Sequence, residues 1–97
     1  MSEEFKGDVG KIVVGVRDVF PDMVVQKLVV THAADDDGIW YFFRPADPED
    51  DIQIESSYGV CPFLIEDNRS SSARTGQTVA DVVEMICDFF AKTDTKH

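Results

Sequence analysis

The stretch "DDIQIESSYGVCPFLIED", residues 50 to 67, decides how this chain folds. It holds two short alternating runs separated by Ser-Ser-Tyr-Gly. In the first, Ile52 and Ile54 alternate with Gln53 and Glu55. In the second, Cys61, Phe63 and Ile65 alternate with Pro62 and Leu64. A period of two is the mark of a half-buried strand. The break between the runs reads as a tight hairpin, with Gly59 supplying positive φ. On this reading Ile52, Ile54, Cys61, Phe63 and Ile65 face a core, and Gln53, Glu55 and Leu64 face away from it. Pro62 has no backbone N–H, which suits a sheet edge or a bulge.

Two further strand-like runs precede these, "MVVQKLVVTH" (23–32) and "IWYFFR" (39–44). The connections "AADDDG" and "PADPED" are short and rich in turn formers, so neighbouring strands should run antiparallel. "EDNRSSSARTGQ" (66–77) is the one connection long and polar enough to be expected mobile.

Helical stripes flank the strands. Val9, Ile12, Val13, Val16, Val19 and Phe20 recur at helical spacing, with Asp8 placed to cap and Pro21 to end the run. Valine and two glycines weaken that helix and leave a strand as the alternative. Val79, Val82, Val83, Ile86, Phe89 and Phe90 form a clearer stripe over 78–92, opened by Thr78 and Asp81 as a capping box. The predicted fold is a single α+β domain over residues 1–97, with 1–6 and 93–97 frayed. It is a four-stranded antiparallel meander with an N-terminal and a C-terminal helix packed on one face (α-β-β-β-β-α).

One consequence concerns the other face. The run 39–44 is apolar on both sides. If Ile39, Tyr41 and Phe43 face the helices, then Trp40 and Phe42 face away, in one row with Arg44 and beside Gln53, Glu55 and Leu64. Aromatic patches rimmed by polar groups often bind proteins. A dimer partner, the 66–77 loop or the C-terminal tail would be the other ways to cover such a patch.

The net charge of −10 on 97 residues is the strongest compositional fact. It argues against direct contact with nucleic acid or an anionic membrane, which need clustered Lys and Arg, and it permits a basic protein partner. Eight of the 19 acidic residues lie between 35 and 55, where Arg44 is the sole base. They bunch in two places expected to be loops at opposite ends of the sheet. Asp35, Asp36 and Asp37 form one group; Asp47, Glu49, Asp50 and Asp51 form the other, near enough to Arg69 and Arg74 for partial neutralisation. The N-terminal residues lack a basic-then-apolar leader and no apolar run approaches a membrane span, so a cytoplasmic location is expected. Cys61 and Cys87 then read as reduced, buried thiols.

No motif for catalysis emerges, and no enzyme activity, metal or cofactor is expected. Counted from Asp35, position 12 of a calcium loop would be Ala46 rather than Glu. Cys61, Cys87, His32 and His97 lack zinc spacing. "GDVGKIVVG" lacks the phosphate-loop pattern, and the Ser-Ser-Tyr-Gly break is not a nucleophile elbow. His32 and Cys61 could share the inner sheet face, but nothing else marks them as a catalytic pair.

The succession of a helix, an aromatic strand, "IQIESSYGVCPFLIE" and "QTVADVVEMICDFFAK" resembles small acidic bacterial proteins of the polymorphic-toxin immunity type, over roughly residues 39 to 90. The resemblance implies a cytoplasmic α+β protein that binds a toxin domain one-to-one and occludes its active site. It transfers no individual functional residue. The alternatives are a homodimeric structural or adaptor module and a nucleic-acid-mimicking inhibitor. The bunching of the acids, rather than a stripe of them, disfavours mimicry.

Overall fold

The computed structural model describes residues 7–28, 37–57, 59–68 and 73–94. The chain runs α1 (Asp8–Val19), β1 (Val24–Leu28), β2 (Asp37–Arg44), β3 (Asp47–Ser57), β4 (Phe63–Asp67), β5 (Arg74–Gly76) and α2 (Val79–Asp94). The strands form one antiparallel sheet in the order β1-β2-β3-β4-β5. The α+β class and the meander are as expected from sequence, but the strands number five, not four. The extra one, β5, lies inside the segment read as a mobile loop. It pairs Gly76 with Phe63 and Arg74 with Ile65.

The stripe at residues 9–20 is a helix, as its spacing predicts. Val9, Ile12, Val13 and Val16 are buried, while Val19 turns out to solvent. Asp8 does not cap it. Gly7 holds the N-cap position, and the Asp8 carboxylate instead accepts the Cys61 N–H at 2.9 Å. That bond and the Val9 N–H donated to the Gly59 carbonyl at 3.1 Å tie the start of α1 to the β3–β4 turn. Gly59 takes φ 69°, the left-handed region a turn of this kind favours for glycine.

In α2 one bond of the expected capping box is shown: the Asp81 N–H donates to Thr78 Oγ1 at 3.1 Å. The helix continues to Asp94, past the expected fraying point at 93. Residues 1–6 and 95–97 lie outside the described residues.

Both helices pack on one side of the sheet. Their buried residues join Trp40, Phe42, Ile52, Ile54, Phe63 and Ile65 in a single apolar cluster. Each such side chain, fully buried, contributes about 1.5–3 kcal/mol. Phe20 meets Phe90 edge-on, and Trp40 meets Phe63 edge-on, with centroids 6.0 and 6.4 Å apart. Arg44 closes the far end of the cluster. Its guanidinium lies over the Phe20 ring and pairs with Asp22 at 3.2 Å. Among the described residues, no helix is long and apolar enough to cross a membrane.

The expected placement of Trp40 and Phe42 is corrected by these facts. Both are buried under the helices, at 5% and 0% exposure. The residues on the opposite face are Ile39, Tyr41 and Phe43. The reason lies in the β2–β3 hairpin. Arg44 pairs with Asp47 across the turn, but Phe43 pairs with Asp51 rather than with Pro48. Three residues of β3, Pro48, Glu49 and Asp50, therefore have no partner in β2. Without that bulge, Ile39 would have stood opposite Ile52 and faced the core. An odd slip exchanges the two faces of a strand, so Trp40 stands opposite Ile54 and Phe42 opposite Ile52.

Asn68 fastens the bulge from the end of β4. Its Oδ1 accepts the Asp51 N–H at 3.3 Å, its own N–H donates to the Asp51 carbonyl at 3.2 Å, and its Nδ2 donates to the Glu49 carbonyl. Asn68→Ala removes the two side-chain bonds. A loss of about 1 kcal/mol is expected in urea unfolding, with slower-exchanging amides at Asp51 becoming fast.

Candidate surface for partner binding

The face that carries no described helix can be built row by row from the strand register. Gln26, Tyr41, Gln53 and Glu66 form one row across β1 to β4. Ile39, Glu55, Leu64 and Thr75 form a second, across β2 to β5. Val24, Phe43 and Asp51 form a third. None of these side chains is buried, and Leu64 is 40% exposed. Val24, Ile39, Tyr41 and Phe43 are half-buried.

The face is divided. Its β1–β2 half is mainly apolar and aromatic. Its β3–β4 half carries Asp51, Gln53, Glu55 and Glu66, with Leu64 between them. Gln53 Nε2 donates to Glu66 Oε1 at 3.2 Å, which orders that pair on the surface. No described lysine or arginine belongs to the face. Lys27 lies on the helix side, its Nζ 5.5 Å from the Trp40 ring centroid, and Arg74 stands opposite Ile65 on that same side.

Of the candidate residues read from sequence, Gln53, Glu55 and Leu64 share this face as expected, whereas Trp40 and Phe42 do not. Asp47, Glu49, Asp50 and Asp51 are not loop residues but the first half of β3, in and around the bulge. Asp37 opens β2 opposite Ser57. Asp35 and Asp36, and with them His32 and Arg69, lie outside the described residues. Ile39, Tyr41 and Phe43, which the expected orientation of β2 turned towards the helices, are members of this face instead.

The acids of the second group shape one another's titration. Partial burial, then the neighbouring Asp50 and Asp67 carboxylates, hold the Asp51 carboxyl above its ordinary pKa. Arg74 approaches Asp67 at 3.6 Å and offsets part of that charge. A raised carboxyl pKa means that the folded chain holds its proton more tightly than the unfolded chain. Stability from this group is therefore complete in acid and is lost as pH rises through the folded pKa. Asp51→Asn is expected to raise stability at neutral pH by no more than about 0.5 kcal/mol, as befits a surface position. It should also flatten the fall in stability above about pH 4. Thermal melts of both proteins between acid and neutral pH measure this.

The cysteines are not activated. Burial first, then the charge and hydrogen bond of Asp8 and the more distant Asp81, push the Cys61 thiol up. Burial and Asp88 push Cys87 up. Both are free thiols, and a raised pKa keeps a thiol protonated and poorly nucleophilic. Among the described residues, no group of three or more His, Cys, Asp and Glu is placed to hold a metal ion.

Comparison with protein-family models, curated protein sequences and solved structures finds no match. The resemblance to immunity-type proteins therefore rests on the quoted residues alone.

Proposed function

We propose that this chain is a small acidic protein-binding module that docks a basic partner protein on the open face of its sheet. The observation carrying this reading is the composition of that face. A row of Ile39, Tyr41 and Phe43 stands directly against Glu55, Gln53 and Asp51, with Glu66 beyond and no described cation among them. Apolar surface supplies affinity, and a rim of one charge sign supplies attraction and selects the partner. The same charge disfavours two copies meeting face to face, since their carboxylates would oppose one another. An inhibitory, immunity-type role, in which the bound module covers the working surface of its target, is the specific form of this reading that the sequence resemblance favours.

In-cell photocrosslinking tests the proposal. A photoreactive phenylalanine analogue is placed at Tyr41 and, as a control, at Val14, which is 64% exposed on α1. The expected result is a discrete crosslinked species from position 41 alone, containing a protein of basic pI. Crosslinks from position 14 alone, or from neither position, would count against the open face as the binding surface.

A further inference from the structure

We infer that the partner meets this face through arginine rather than lysine side chains. The inference rests on the proposed binding face and specifies its chemistry. The register sets an aromatic or aliphatic side chain on β2 directly beside an acceptor on β3, three times in succession: Ile39 beside Glu55, Tyr41 beside Gln53, and Phe43 beside Asp51. Directly opposed side chains have Cβ atoms about 4.5–5.5 Å apart. Successive pairs on one face repeat at roughly 6.8 Å, two strand residues.

A ring next to a carboxylate at that separation matches the two ways a guanidinium binds. Its flat face stacks on an aromatic ring, and its edge forms a two-pronged bond to a carboxylate. Phe43 with Asp51 offers both groups in one cross-strand pair. Tyr41 offers a ring, and Glu66 lies two strands away in the same row, on β4 beyond Gln53. The Glu66 carboxylate is already oriented by its bond from Gln53 Nε2. An ammonium is a compact, strongly hydrated charge and gains little from the flat surface. Among the described residues no cation of the chain occupies these places: Lys27, Arg44 and Arg74 are all directed to the helix side or its rim.

The test compares octa-arginine and octa-lysine peptides, equal in charge and length, titrated into the isotopically labelled chain. Affinity and the location of binding are read from backbone amide shifts. Octa-arginine is expected to bind about tenfold more tightly, as stacking adds to charge. Its shifts should centre on Tyr41, Phe43, Asp51 and Gln53, and the preference should collapse to near parity in Tyr41→Ala/Phe43→Ala. If both peptides bind this face equally, the arginine inference is overturned while the binding face stands. If neither perturbs these amides, both fall.

Discussion

Replacing Phe42 by alanine is expected to cost about 3–5 kcal/mol, while the same change at Phe43 costs less than about 1 kcal/mol. The two rings are adjacent in sequence and chemically identical. They differ only in the face of β2 to which they point. Phe42 is fully buried between Ile52 and the helices, so its removal forfeits transfer energy and leaves a cavity that a close-packed core closes only in part. Phe43 is already half in water beside Asp51. Domains of this size have roughly 5–15 kcal/mol in total, so Phe42→Ala consumes a large share and brings the chain near its folding limit. Urea unfolding of the two variants reads the difference directly. Equal costs, or a larger one for Phe43, would mean that the β2–β3 hairpin is not slipped.

The second large effect concerns binding. Reversing two charges of the open face, Glu55→Lys with Glu66→Lys, is expected to weaken capture of a basic partner by at least about a hundredfold, because opposed like charges cost several kcal/mol. Stability should change by less than about 1 kcal/mol, since both side chains lie on the solvent side of their strands. A control reversal on α2, Glu84→Lys, changes net charge on an exposed site of the helix layer. It should weaken binding only severalfold, through long-range attraction. If the α2 variant loses as much as the sheet variant, overall charge and not the open face governs the interaction.

Much of this architecture is legible in the sequence because its signals are local. The alternation in β3 and β4 assigns Ile52, Ile54, Phe63 and Ile65 to the core unaided, and the stripes of α1 and α2 do the same for most of their helix positions, Val19 being the exception. Two features resist such reading. β5 is three residues long and contains Arg74, Thr75 and Gly76, too short and polar to show a period. It is defined by its pairing with β4, a tertiary fact.

The face of β2 is the other. "IWYFF" has no polar residue to break the tie between its sides, so its orientation follows from the turn. The bulge at Pro48, Glu49 and Asp50 overrides the simple hairpin count. Gly38 lies two residues before Trp40 on the same face, and the indole occupies the space beside it: a Cβ at Gly38 would come within 2.4 Å of the ring. That pairing holds whichever face meets the helices, so it does not break the tie. The acids of β3 were legible as a cluster but not as strand residues, because "PADPED" carries every mark of a loop.

Hydroxyl-radical footprinting of the free protein tests the one-sided sheet most directly. Ile39, Tyr41 and Phe43 should be modified readily, while Trp40 and Phe42 stay protected until the chain unfolds, even though tryptophan is the more reactive ring. Rapid modification of Trp40 in the folded protein, together with protection of Tyr41 and Phe43, would contradict the orientation of β2 and remove the surface on which partner binding is proposed.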